Sequence, residues 1–88
     1  MKFDSPYTVL LHPYLTEKTL SHMDRENKLE FVVNKKATKS DIAKAFEDVF
    51  EAKVDSVNVK ICKDGKHAII RLADEYSAEE IGMRIGIF

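Results

Sequence analysis

Apolar and polar positions repeat with two different periods along this 88-residue chain, and the changes of period mark its elements. From Lys28 to Val33, residues Leu29, Phe31 and Val33 fall on one side of a two-residue repeat, with Lys28, Glu30 and Val32 on the other. That spacing predicts a strand with one face on a core and a second face that is half polar. Val54 to Cys62 repeats the pattern, setting Val57, Val59 and Ile61 against Ser56, Asn58 and Lys60; His67 to Leu72 sets Ala68, Ile70 and Leu72 against His67, Ile69 and Arg71. Between these two runs stands Lys63-Asp64-Gly65-Lys66, whose Asp-Gly pair signals a tight hairpin because glycine accepts a positive φ without a Cβ clash. Tyr7 to His12 is apolar and partly β-branched, and Pro13 withholds a backbone donor, so a short edge strand is expected there.

Helical spacing takes over between the strands. Ile42, Ala45, Phe46, Val49 and Phe50 recur three and four residues apart, predicting the main helix. Thr38-Lys39-Ser40-Asp41 opens it: the Thr38 hydroxyl can accept an otherwise unpaired backbone N–H while the Asp41 carboxylate returns to the cap. Ile42, Phe46 and Val49 are expected to bury against the strand faces that carry Phe31 and Val57. A shorter helix of two or three turns follows Thr16-Glu17-Lys18-Thr19, puts Thr19, Leu20 and Met23 on one face, and ends in the polar run from Asp24 to Asn27. Ser77-Ala78-Glu79-Glu80 repeats the capping pattern, with Tyr76 and Ile81 as a hydrophobic staple, and the last helix is expected to end near Gly86. This order of elements predicts an α+β fold, an antiparallel sheet of about four strands covered by helices, in one domain spanning residues 1–88.

Composition agrees with a folded chain. A hydrophobic fraction of 44% against 33% charged residues suits a globular domain rather than a disordered tail, at a length where a core can just support itself. Cys62 is the sole cysteine, so no internal disulfide, zinc knuckle or CxxC pair is expected, which points to a reducing compartment. Asp4 and Pro6 interrupt the apolar residues at the start, and the longest apolar run falls far short of a membrane span, giving a cytoplasmic expectation.

The net charge of -1 is low for a protein that meets polyanions, but its distribution is uneven. Lys35, Lys36, Lys39 and Lys44 face Asp41 alone over residues 33–44, and Lys53, Lys60, Lys63, Lys66 and Arg71 face only Asp55 and Asp64 over residues 53–71. Residues 74–88 reverse the balance, with Asp74, Glu75, Glu79 and Glu80 against Arg84. Lysines of this kind can neutralise closely spaced phosphates, and the hydroxyls of Thr16, Thr38 and Ser40 can add neutral hydrogen bonds; ordinary solvation is the competing reading of the same charges.

Catalytic motifs are missing. His12, His22 and His67 have no HExxH spacing, and Gly65, Gly82 and Gly86 make no phosphate-cradling loop, so no enzymatic activity, cofactor or metal is expected. Cys62 reads as a small buried residue at a strand end, and His12 and His67 as surface or hydrogen-bonded residues rather than metal ligands. Phe31 and Phe50 read as core, which leaves no exposed aromatic ladder for stacking single-stranded bases.

Pro13-Tyr14-Leu15-Thr16-Glu17-Lys18-Thr19 followed by Asn27-Lys28-Leu29-Glu30-Phe31-Val32-Val33 resembles the ribosomal protein L23 family. Ala37 to Glu47 and Phe50 to Asn58 continue the pattern, so that the resemblance spans nearly the whole chain. Tyr76-Ser77-Ala78-Glu79-Glu80-Ile81, the closing Gly86-Ile87-Phe88 and the short hairpin without a long loop are similar to the archaeal form. The resemblance implies a structural constituent of the large ribosomal subunit that binds 23S rRNA near the polypeptide exit tunnel. It also implies ribosomal protein L29 as a neighbour, and a docking surface for the signal recognition particle and other nascent-chain factors. It carries an rRNA-facing role to Thr16 and Lys18, to Lys35, Lys36 and Lys39, and to Lys53 and Asn58. His12 departs from the arginine that relatives usually place before the proline, and the chain is more acidic than the family pattern. A ribosome-independent protein-interaction module, using the acidic end against a basic partner, is the alternative reading.

Overall fold

The computed structural model describes residues 5–86. A 3-10 turn over Pro6–Thr8 leads into β1 (Leu10–Pro13), α1 (Glu17–Glu26), β2 (Lys28–Val33), α2 (Lys39–Phe50), β3 (Val54–Cys62), β4 (Gly65–Leu72) and α3 (Ala78–Arg84). The strands form one antiparallel sheet in the order β1-β2-β4-β3. The first strand starts later than its apolar pattern suggests, because Ser5 caps the 3-10 turn, its hydroxyl accepting the Tyr7 N–H at 3.1 Å. β1 is an edge strand as expected, and a bulge between Leu10 and His12 breaks its register against β2.

Register assigns every strand residue to a face. Leu29, Ile70 and Val57 stand in one row and Phe31, Ala68 and Val59 in the next. Against these α2 lays its apolar stripe: the Phe46 ring lies 6.0 Å from Phe31 and 4.7 Å from Phe50 between centroids. Ile42, Ala45 and Phe46 are fully buried, and Met23 of α1 and Ile81 of α3 join the same core. Burying a Phe or Ile side chain contributes about 1.5–3 kcal/mol, more than any exposed ion pair on the same helix.

Three expected burials differ. Val49 is only half-buried, lining a surface groove with Tyr7, Leu11, Phe50 and Ile85. Ile61 is 79% exposed, since it lies opposite Lys66 beside the hairpin on the outer strand, where no helix covers it. Cys62 is half-exposed rather than buried. The hairpin loop itself is Lys63-Asp64; Gly65 already pairs with Cys62, at a φ of 129° that disfavours a side chain.

Caps fix the helix ends. Thr38 and Asp41 exchange hydrogen bonds at 3.2 and 2.9 Å, and Thr16 and Thr19 form the equivalent pair at the start of α1. Asn27 ends α1 in the left-handed region, φ 59°, a conformation Asn tolerates through its short polar side chain. From there its Nδ2 donates to the Tyr76 carbonyl at 2.8 Å and its Oδ1 accepts the Ala78 N–H at 2.7 Å. This clamp, rather than a staple, secures the entry to α3, because Tyr76 stays exposed while Ile81 enters the core.

Candidate nucleic-acid interface

The second face of the sheet presents the rows Lys28, Arg71, Ser56, then Glu30, Ile69, Asn58, then Val32, His67, Lys60. Over β3 and β4 it is open: Ser56, Asn58, Lys60 and Arg71 are all exposed. The expectation of a half-polar outer face on β2 is corrected here, because Glu30 and Val32 are both buried. His67, expected at the surface or in a hydrogen bond, is 1% exposed and hydrogen-bonded on both ring nitrogens. Its Nδ1 lies 2.7 Å from Glu30 Oε2 and its Nε2 lies 2.8 Å from Asp64 Oδ1, while Tyr14 packs edge-on at 4.5 Å. Lys60 Nζ approaches the same Glu30 oxygen at 3.6 Å.

Burial works against a charged imidazole, but the hydrogen bonds it donates to Glu30 and Asp64 outweigh it and hold the His67 pKa above its ordinary 6.5. The hydrogen bond to His67 is in turn the main reason that Asp64 sits below 3.8. Among the described residues, every buried side-chain nitrogen and oxygen has a hydrogen-bond partner.

A cationic cluster surrounds the hairpin end of the sheet. Asn34 builds the turn after β2: its N–H donates to the Val9 carbonyl at 2.9 Å, and its Oδ1 accepts the Lys36 N–H at 3.0 Å. That turn leaves Lys35 and Lys36 exposed. Lys39, the first residue of α2, is also exposed, at the helix end whose free N–H groups favour anions. The hairpin meets this segment, since Lys66 Nζ donates to the Ala37 carbonyl at 2.6 Å. Two shallow grooves connect the parts, one lined by Leu11, Asn34, Lys35, Lys36 and Lys66, the other by Lys35, Ile61, Lys63 and Lys66, with Asp64 the one acidic residue lining both.

Of the residues expected to face RNA, Lys35, Lys36 and Lys39 are therefore gathered at one end, and Asn58 lies on the open face between the rows of Lys60 and Arg71. Thr16 and Lys18 stand apart at the start of α1, where the Thr16 hydroxyl is occupied by capping. Lys53 precedes β3 at the end of the sheet away from the hairpin. Lys60, Lys63, Lys66 and Arg71 belong to the second cationic stretch that the sequence offers to phosphates, although the family resemblance carries no rRNA-facing role to them. The alternation of β3 and β4 already placed Lys60 and Arg71 on one face, but nothing local joined Lys63 and Lys66 to the β2–α2 turn.

A four-stranded antiparallel sheet, backed by α2, exposing Ser56, Asn58, Lys60 and Arg71 of β3 and β4 on its other face and cation-rich at one end, defines a small α+β protein with a surface suited to anions. The chain belongs to the ribosomal protein L23 family, whose profile it matches over residues 8–80. It is 45% identical over 84 residues to the large ribosomal subunit protein uL23 of Methanothermobacter thermautotrophicus, covering 94% of this chain and 98% of that one. The protein of the same name from Picrophilus torridus is 51% identical, covering 90% and 96% respectively. That from Natronomonas pharaonis is 49% identical, covering 88% and 95%.

Proposed function

We propose that this protein is a structural constituent of the large ribosomal subunit that binds 23S rRNA, with the cationic hairpin end as its principal phosphate-binding surface. Membership of the L23 family carries the ribosomal reading; the gathering of Lys35 and Lys36 beside Lys63 and Lys66, with Lys39 exposed at the start of α2, carries the choice of surface. Asn58, flanked by Lys60 and Arg71, extends that surface over the open face, and Thr16, Lys18 and Lys53 contribute separate contacts. Residues 1–88 act as a single rRNA-binding unit without enzymatic activity, within cytoplasmic ribosomes beside the exit of the polypeptide tunnel. L29 is its neighbour there, and the signal recognition particle and nascent-chain factors dock nearby. Among the described residues no helix is long and apolar enough to cross a membrane.

Replacing Lys35, Lys36 and Lys39 together by Gln removes three charges while leaving the apolar face of α2 intact. Weaker binding to large-subunit rRNA is expected at low salt, together with a shallower salt dependence, because fewer counterions are released on association. Circular dichroism establishes first that the variant is folded. An unchanged affinity and slope would reject this end as the RNA-facing surface. Failure of the parent protein to comigrate with large subunits, with persistence in a protein complex after RNA digestion, would favour the interaction-module reading instead.

A further inference from the structure

The hairpin that closes the cationic end also brings together three side chains of metal-ligand chemistry. Cys62 is the last residue of β3, Asp64 lies in the two-residue loop, and His67 follows in β4. Register sets Cys62 and His67 on the same open face, and the Cys62 thiol, an Asp64 carboxylate oxygen and a His67 ring nitrogen all lie within 4.8 Å of one another. We propose that Cys62 Sγ, Asp64 and His67 Nε2 form a binding site for a divalent transition-metal ion of the zinc type.

Two features beyond proximity support the site. The first is the orientation of His67: it is almost wholly buried, its Nδ1 faces Glu30 Oε2 at 2.7 Å, and its Nε2 points at Asp64. A carboxylate behind Nδ1 is the outer-shell partner that metal-bound histidines ordinarily carry, holding the ring so that the Nε2 lone pair faces the ion. The second is the pairing at Nε2. With Nδ1–H donating to Glu30, Nε2 and the Asp64 oxygen 2.8 Å away form a pair of donor atoms that a cation can bridge. A proton does this in the metal-free protein; a metal ion replaces that proton, and Cys62 releases its thiol proton to solvent as its thiolate becomes the third ligand.

The donor set of thiolate, imidazole and carboxylate suits zinc or cobalt better than magnesium or calcium, which prefer oxygen alone. Three protein ligands leave a fourth tetrahedral position for water. Asp64 and Cys62 are both accessible from solvent, so the ion has an entry path. Lys60, paired with Glu30, and Lys35, Lys63 and Lys66, which line the same groove as Cys62 and Asp64, are the nearby cationic groups the ion must tolerate.

Cobalt(II) titrated into chelator-stripped protein tests the site. One equivalent is expected to bind with the visible absorption of a tetrahedral centre and a thiolate-to-cobalt charge-transfer band, and zinc is expected to displace it. Cys62→Ser, which alters a half-exposed position and keeps the core intact, should abolish the charge-transfer band and weaken binding at least tenfold. Asp64→Asn should weaken it comparably. Glu30→Gln should keep the band while lowering affinity by about 10- to 100-fold, the effect of removing an outer-shell partner. A parent protein with no thiolate band, or equal affinity in the parent, Cys62→Ser and Asp64→Asn proteins, would overturn the assignment. The outcome is independent of whether the hairpin end binds RNA, since the readout uses the metal alone.

Discussion

Phe46 and His67 represent two different kinds of buried residue. Phe46 has no exposed surface and packs against the rings of both Phe31 and Phe50, so removing it forfeits both transfer energy and packing. Phe46→Ala is expected to cost about 3–5 kcal/mol, measured as a lower urea midpoint with an unchanged slope. Parent-like stability would show that the α2 face has been misassigned. His67 is buried because its two nitrogens are satisfied, and its charge links stability to pH. Its raised pKa means that the folded state binds the proton more tightly than the unfolded chain does. In metal-free protein the stabilisation is therefore full below the ordinary value of 6.5 and is lost as pH rises through the higher folded value. Asp64 acts in the opposite sense: its contribution is present above 3.8 and is lost as pH falls through its lowered folded value. Urea midpoints followed against pH in a chelating buffer should thus decline on the alkaline side, and Asp64→Asn should move that decline to lower pH. A midpoint that rises across the same range would contradict the bridging role of His67.

At the scale of elements, the caps were readable because they are local. Thr38 and Asp41 are three residues apart, and their reciprocal bonds form wherever the chain turns into a helix. Thr38→Ala should cost about 1 kcal/mol by chemical denaturation; no loss at all would mean that α2 starts elsewhere. Asn27 could not be read in this way. Its partners Tyr76 and Ala78 are 49 and 51 residues distant, so its role exists only once α1 and the segment before α3 meet. Asn27→Gly keeps the left-handed backbone but removes the side-chain bonds to Tyr76 and Ala78 and the longer one to the Leu72 carbonyl, and a loss of about 1–3 kcal/mol is expected from urea unfolding. If Asn27→Gly unfolded like the parent, the clamp would be structurally idle. The edges of the sheet follow local logic again: β1 has only four residues and ends on Pro13, which discourages a further strand from pairing there.

Across the whole molecule, charge is arranged by topology rather than by total. The hairpin lysines join those of the β2–α2 turn because β2 and β4 run antiparallel, bringing Val33 opposite Lys66. Adding Lys63→Gln to the triple lysine variant should therefore make the salt dependence of rRNA binding shallower still, by about 0.7–0.9 in slope for each phosphate left without its lysine. A slope equal to that of the triple variant would take the hairpin out of the interface. The sequence by itself determined the strands, the α2 stripe and its cap, since these depend on period and on neighbours within one turn. It also placed Lys35, Lys36 and Lys39 together, because they are nearly adjacent in the chain. Only the tertiary structure decided that Glu30 and His67 would be buried on the supposedly polar face, that Ile61 would be left uncovered, and that Lys63 and Lys66 would complete the cationic end. Each of these depends on a strand's position in the sheet and on what covers it, and alternation along one strand carries no information about either.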